Sequence, residues 1–496
     1  MDAAVRVWPA LARAVVPPEL FGHVAEHVGR CIYEGAWVGE QRQIPHQEGL
    51  RLDVVAALTQ LRAPVIRWPG GCFADDYHWR DGVGPQGERP RTANLWWRQI
   101  EPNTFGTPEF LRFCEAVGAA PYLCVNVGSG SPREARDWVE YCNFPGDSML
   151  AEMRAKDGRP APWGVSRWGI GNENWGCGGN YTGADYAKDY RRFATYMRAM
   201  APEILLHASG ASFGDYKQPV QNSWNHDFCE ALAGHDLVDH VCLHRYFKRG
   251  RAVSFSDAEY FALFGDVLAM EKDLERTDAV LRYYFPNRAV GIAVDEWGVW
   301  HPEATVENGL EQPHTLRDAL LAAAILHLFI RWTPRVTMAN IAQTVNVLQC
   351  LAMTEGARMF LTPTYHVFDM MRPHRGARTL TLETDAPEFE TRPVGFATKQ
   401  TLPCLDVCAS ISGRKMHLTV VNKSLEDAVE THIVPREASL ASVTGKVLQA
   451  DDPRQTNDYE TPSRITAKRI RPVLTGEDFV HTFPPHSFTA LTITLS

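Results

Sequence analysis

The chain has little to offer a nucleic acid or a membrane. Its 496 residues carry 50 Lys and Arg against 59 Asp and Glu, a net charge of −9, and no basic cluster stands out. That excludes the electrostatic footprint of a nucleic-acid binder. The longest apolar run, "ALLAAAILHLFI", is too short to span a bilayer and contains His327. Pro9 and Arg13 interrupt the N-terminal stretch, which leaves no clean apolar core before a cleavage site, so no signal peptide is read. The eleven cysteines include no C-x-x-C pair, which points to reduced thiols in a cytoplasmic protein rather than to a disulfide framework. No P-loop occurs, and "GIGNENWG" lacks the third glycine of a dinucleotide fingerprint. What remains, 45% hydrophobic and 22% charged, is the composition of a soluble globular protein.

What is present is an alternation. Eight β-rich runs stand out: "FGHVAEHVG", "APVIRWPGG", "APYLCVNVG", "SRWGIGNE", "ILLHASGAS", "VDHVCLHRY", "AVGIAVDEW" and "RVTMANIAQ". Helical stretches separate them. One starts at Thr107 and Pro108 and closes at Gly118, one starts at Ser131 and Pro132, and one opens with Thr182 and Asp185 at capping-box spacing. Eight strand–helix units over residues 21–376 predict an α/β fold, a (β/α)₈ barrel. From 377 to 496 the period changes to two, as in "LDVCASISGRKMHLTVVNKS", which predicts an antiparallel β-sandwich. Residues 1–20 do not fit the barrel and are expected to pack on the sandwich.

Catalytic groups of such barrels sit at the C-terminal ends of the strands. Polar residues crowd those ends: Arg67 and "PGGC", Asn126, Asn172 and Glu173, His244 and Tyr246, Asp295 to Trp297, then Asn340 and Gln343. Two carboxylates at strand ends four and seven face one another across a barrel mouth. Amid amides and aromatics they suggest glycoside hydrolysis, one protonating the leaving oxygen and the other supporting or attacking the anomeric carbon. Trp97 and Trp300 offer flat apolar platforms for a sugar.

Long motifs in one order then carry a resemblance. They include "VIRWPGGCFADDYHWRDGVGP", "RPRTANLWWRQIEPNTFGTPEFLRFCEAVGAAPYLCVNVGSG", "WGIGNENWGCGG", "VDEWGVW" and "MANIAQTVNVLQ". The chain resembles glycoside hydrolase family 51, mostly α-L-arabinofuranosidases, within a clan of retaining barrel glycosidases. The resemblance implies that Glu173 is the acid/base and Glu296 the nucleophile. It implies that Glu26, Arg67, Asn172, Tyr246 and Gln343 hold the sugar, with Trp97 and Trp300 beside the subsites. Their strand-end positions put His244 and Cys72 at the same mouth, where the Cys72 backbone amide can donate to a sugar hydroxyl. Members are commonly intracellular and oligomeric, so the expected partners are arabinose-containing oligosaccharides and further copies of the chain. No cofactor and no metal are expected.

Other readings stay open on the residues alone. Arg67 can neutralise buried carboxylates, His244 can be a core histidine, and Tyr246 and Trp97 can be core aromatics. Asp295 is expected to alternate to the far side of its strand. Asp75 and Asp76 are expected to bind loop amides or arginines. "HVAEH", His23 to His27, fits the H-x-x-E-H zinc peptidase pattern but lies in a β-rich run. Cys72 and Cys177 are either unrelated loop residues or a bridge that fixes the loop of Glu173. A non-catalytic sugar-binding protein would normally have lost one of the two glutamates. A β-xylosidase or endoglucanase with the same chemistry is the nearest alternative substrate class.

Overall fold

The structure is a computed structural model and describes residues 2–41, 43–212, 220–394, 399–474 and 478–496. Eight parallel strands close into a barrel: β1 (Gly22–Val24), β2 (Val65–Trp68), β3 (Ala120–Val125), β4 (Arg167–Ile170), β5 (Leu205–Ala208), β6 (His240–Phe247), β7 (Gly291–Val299) and β8 (Val336–Ile341). Each β-rich run of the sequence supplies one of them. Closure is made where Asn340 of β8 pairs with Gly22 of β1. A Cβ on Gly22 would lie 2.1 Å from the Asn340 side-chain oxygen, so only glycine lets the two strands meet there. Asn340 is thus buried in the seam and does not reach the mouth.

The helices begin where their caps require. Ser131 accepts from the amide of Glu134 to start the helix Pro132–Asn143. Thr182 accepts from the amide of Asp185 to start the helix Gly183–Met200. Both satisfy amides that a helix start leaves without partners. Gly118, at φ 82°, ends the earlier helix Thr107–Val117 in the left-handed conformation that glycine adopts at least cost.

The second unit is a nine-stranded sheet. The N-terminal strand Asp2–Val15 lies inside it, antiparallel to Arg378–Asp385 and parallel to Val429–Pro435. The other pairings are antiparallel. Val5, Val7, Leu418, Val420, Ile433, Phe479, Phe483 and Ile493 gather into a core of its own.

The apolar run of the sequence is the helix Leu316–Arg331, buried on every side from Leu316 to Ile330. It is buried all round because the barrel covers one face and the sheet the other. His327 sits in that seam. Its Nδ1 lies 3.0 Å from Asp406 and its Nε2 2.8 Å from the Thr419 hydroxyl. The same hydroxyl lies 3.0 Å from Nε2 of His374, whose Nδ1 is 2.8 Å from Ser410. A pattern of protons with both rings neutral satisfies the chain. His327 donates from Nδ1 to the Asp406 carboxylate, so its Nε2 accepts from Thr419. The Thr419 oxygen then accepts from His374 Nε2, and His374 Nδ1 accepts from Ser410. Both imidazoles are neutral in this pattern, in keeping with the burial that lowers both pKa values.

Candidate active site

The site is built on loops that glycine allows to come close. Past β2, Gly70 has φ 141°, and a Cβ there would fall 2.1 Å from Glu26 Cγ. A Cβ on Gly71 would lie 3.1 Å from the Glu26 carboxylate and 3.2 Å from that of Glu296. This backbone therefore lies directly against two acids. Glu26, two residues past β1, accepts from Trp97 Nε1 at 2.9 Å and from Gln343 Nε2 at 2.8 Å. Burial, then the negative charge of Glu296, push the Glu26 carboxyl up to about 7.

Beyond β4 the chain turns sharply at Glu173, where φ is 45°. The Glu173 carbonyl accepts from Gly176 at 2.7 Å. The turn is anchored by Asp75, which accepts from the amides of Asn172 at 2.6 Å, Val127 at 2.7 Å and Gly128 at 2.9 Å. Asp75 is thus a ligand of loop amides, as the sequence suggested. Burial outweighs those bonds and pushes its carboxyl up to about 7.

Cys72 and Cys177 form a disulfide, with Cα atoms 5.6 Å apart. This corrects the reading of the cysteines as reduced thiols for this pair; the other nine are free and buried. The fold brings together two tight glycine-rich loops that sequence spacing of 105 residues leaves unrelated. The Cys177 sulfur lies 3.9 Å from the Glu173 carboxylate.

His244 and Tyr246 are two apart on β6 and point the same way. Tyr246 donates to Glu296 Oε1 at 2.6 Å, and Arg67 donates to Glu296 Oε2 at 2.9 Å. A second arm of Arg67 donates to Asn172 Oδ1 at 2.6 Å. His244 Nδ1 lies 2.9 Å from Glu173 and 3.6 Å from Glu296. Burial alone would lower the His244 pKa, but Glu296, Asp295 and Glu173 outweigh it and push it up to about 10. The histidine is therefore an imidazolium between acids. One oxygen of Glu173, Nδ1 or Nε2 of His244 and one oxygen of Glu296 all lie within 4.8 Å of one another. Among the described residues these side chains have the geometry to take a cation; in Cys72, Glu173 and Cys177, the other such group among them, the sulfurs are bonded to each other.

Trp300 packs edge-on to Tyr246 with ring centres 5.1 Å apart, its Nε1 donating to the Ala304 carbonyl. The Lys248 ammonium lies 4.7 Å from the centre of the Trp300 ring. Of the eleven residues singled out in the sequence, Cys72, Arg67, Asn172, Glu173, His244, Tyr246, Glu296 and Trp300 are joined by hydrogen bonds, ion pairs, the disulfide and ring contacts, while Glu26, Trp97 and Gln343 form a second hydrogen-bonded group that meets them across Gly71. Glu296 is 7% exposed and Glu173 17%.

Asp295 departs from expectation. It does not alternate away but turns into the barrel, accepting from Tyr122 at 2.8 Å and lying 3.2 Å from both Arg67 Nε and His244 Nε2. A bulge in β7 is the cause. Cys242 pairs with Ala293 and His244 with Glu296, so β7 holds one residue more than β6, and the same slip appears against β8. Strand alternation alone cannot reveal it; two consecutive acids at a strand end were the available signal. "HVAEH" is no metal site. His23 is buried against Phe368, His27 is held by Glu101 at 2.7 Å and Trp68 at 3.0 Å, and Glu26 faces the mouth.

Residues 57–256 match the α-L-arabinofuranosidase 1 domain and residues 295–487 the α-L-arabinofuranosidase C-terminal domain. An intracellular exo-α-L-arabinofuranosidase of Bacteroides ovatus is 39% identical over 475 residues, 94% of this chain and 90% of the relative. The crystal structure of the GH51 arabinofuranosidase from Xanthomonas axonopodis pv. citri matches with a TM-score of 0.91 at 35% identity, over 99% of both chains. That of the α-L-arabinofuranosidase from Thermotoga maritima in complex with arabinose matches with a TM-score of 0.87 at 31% identity, over the whole of both. With the paired carboxylates at strand ends four and seven, these matches make the chain a member of glycoside hydrolase family 51, the α-L-arabinofuranosidases.

Proposed function

We propose that the enzyme removes terminal α-L-arabinofuranosyl residues from arabinose-containing oligosaccharides by double displacement, with Glu296 as nucleophile and Glu173 as acid/base. The observation that carries this reading is the approach of the two carboxylates, with oxygens within 4.8 Å across His244. Retaining glycosidases hold their carboxyl groups about 5–5.5 Å apart, whereas inverting enzymes leave about 6.5–9.5 Å for a water. The roles follow from the partners. Arg67 and Tyr246 fix both oxygens of Glu296, which suits an anion that must attack in one direction. Glu173 is the more exposed acid and is held on one side only, which leaves an oxygen for the leaving group and later for water.

Glu296 attacks the anomeric carbon while Glu173 gives its proton to the departing oxygen. Glu173 then takes a proton from a water whose oxygen attacks the anomeric carbon, and the ester bond to Glu296 breaks to release the sugar. With its oxygen bound to Arg67, Asn172 has Nδ2 available to donate to the 2-hydroxyl, a contact that strengthens in an oxocarbenium-like transition state. Glu26, Gln343, Trp97 and the backbone of Cys72 hold the rest of the ring, with Trp300 at the rim. Residues 21–376 act as the catalytic unit, with 1–20 and 377–496 as its companion. The intracellular relative supports a cytoplasmic setting, and among the described residues no helix is long and apolar enough to cross a membrane.

Early-time NMR of the released sugar tests the mechanism. The first product should keep its anomeric configuration, and an inverted first product removes Glu296 as nucleophile. An aryl glycoside panel tests the substrate: α-L-arabinofuranoside should be best by a wide margin over β-D-xyloside and β-D-glucoside.

A further inference from the structure

The bulge in β7 turns two consecutive acids toward the barrel axis, and the mechanism above uses only one of them. We propose that Asp295 is a positioning residue of the reaction, which acts through His244 to hold Glu173 and Glu296 in register. The proposal rests on the assignment of those two glutamates.

The geometry is a chain of alternating charge. Asp295 Oδ1 lies 3.2 Å from His244 Nε2, and the opposite ring nitrogen lies 2.9 Å from Glu173 and 3.6 Å from Glu296. An imidazole has two nitrogens at fixed separation. A carboxylate paired by charge with one of them, at ion-pair distance, biases where the other points, so the ring works as a spacer between Asp295 and the catalytic pair. Asp295 is itself held by Tyr122 at 2.8 Å and by Arg67 at 3.2 Å, and Arg67 also reaches Glu296. It is buried, so its charge acts without solvent screening.

The charges around the pair decide the proton count. Glu173 and Glu296 face His244 as acids, with Glu26 further along the mouth. Among the described residues, Arg67 is the other cation in contact with these acids. Tyr122, Cys124, Cys242 and His207 face Asp295 from the barrel interior as neutral groups, since burial raises the first three and lowers the histidine. When Glu296 carries the sugar as an ester it no longer attracts His244, whereas Asp295 keeps its charge throughout. Asp295 therefore holds the imidazolium while Glu173 acts as base on water, the half of the cycle in which the Glu296 charge is missing.

The test is a double-mutant cycle on the full-length enzyme, with Asp295→Asn, His244→Gln and both together, and an aryl α-L-arabinofuranoside as substrate. Asp295→Asn should lower kcat about 10²-fold, as misplacement of catalytic groups does, with KM little changed. The double variant should be no slower than His244→Gln alone. Losses that multiply, or a kcat for Asp295→Asn near that of the wild type, overturn the proposal, because Asp295 would then serve Arg67 and Tyr122 alone. Imidazole NMR of the wild-type enzyme labelled with ¹⁵N-histidine needs no variant fold but one, His244→Gln, to assign the signal. His244 should stay doubly protonated at neutral pH, and a neutral ring there overturns the proposal. In Asp295→Asn its titration should move down by about 1–3 units. A mechanism-based 2-fluoro arabinofuranoside separates the two levels: a label on a residue other than Glu296 refutes the catalytic assignment, whereas a label on Glu296 with an additive cycle refutes Asp295 alone.

Discussion

The mouth of the barrel and the seam beneath the sheet both bury histidines, and they leave them in opposite states. His244 is surrounded by Glu173, Asp295 and Glu296, with Arg67 as the only other cation in contact with them among the described residues, and it is charged. His327 also touches a carboxylate, but Asp406 is matched by Arg331 at 2.9 Å, and the other nitrogen meets a hydroxyl. His374 meets only hydroxyls. Burial is nearly complete in all three. The comparison teaches that an imidazole buried to the same degree becomes a cation or a neutral relay according to the excess of acid around it. The mouth keeps unbalanced charge for chemistry; the seam spends every donor on an acceptor for stability.

Breaking the mouth has the largest expected effect. Glu296→Ala should lose at least about 10⁴-fold in kcat on every substrate, since no covalent intermediate can form. Glu173→Ala should cost about 10²–10⁴-fold on natural leaving groups and far less in the first step with an activated aryl group. Azide should then speed turnover and give a glycosyl azide. Equal damage to good and poor leaving groups, with no response to azide, would remove Glu173 as acid/base.

Breaking the seam should lower stability and leave chemistry alone. Thr419→Val removes the hydroxyl that joins His327 to His374 and leaves each Nε2 without its partner, at about 1–3 kcal/mol for each buried group. A lower thermal midpoint with unchanged kcat is expected. A changed kcat with an unchanged midpoint would contradict the division of labour between the two regions.

Acid sharpens the contrast further. Burial holds the pKa of His327 and of His374 below the unfolded value, and the unfolded chain protonates near pH 6.5. Their contribution is complete above that pH and is lost as pH falls below it. His244 is opposite in sign: its contribution is complete below about pH 6.5 and is lost as pH rises through about 10. Urea midpoints from pH 4 to 7 should fall more steeply with acid for the wild type than for a His374→Asn variant. Parallel curves would locate the acid sensitivity elsewhere.

Within the mouth, the smallest effect on activity is expected at the disulfide. Cys72→Ser keeps the backbone amide beside the sugar, so kcat/KM should change by no more than a few-fold. Because the sulfurs are bonded, thiol reagents should label Cys72 only after reduction, and substrate should then protect it. Labelling of the unreduced enzyme at Cys72 would show that the bridge is open in solution.

Much of the molecule was legible along the chain. The eight strands appear as β-rich runs because a parallel barrel buries strands on both faces, and the caps at Ser131 and Thr182 are local chemistry. Glu173 and Glu296 were legible because each stands at a strand end, where a barrel exposes side chains to a ligand. Asp295 was not, because a bulge is a mismatch between neighbouring strands and neither strand records it alone. The Cys72–Cys177 bond was left open for a similar reason, since its two loops come together only when β2 and β4 take their places around the barrel.

The sequence by itself therefore determined the order of strands and helices, the change of period near residue 377, and the residue types at each strand end, since these depend on neighbours a few positions away. Only the tertiary structure decided which acids share a site, which sulfurs meet and which histidines carry charge. Those properties depend on fields and contacts between side chains as distant in sequence as Arg67 and Glu296, and they exist only once the barrel has closed.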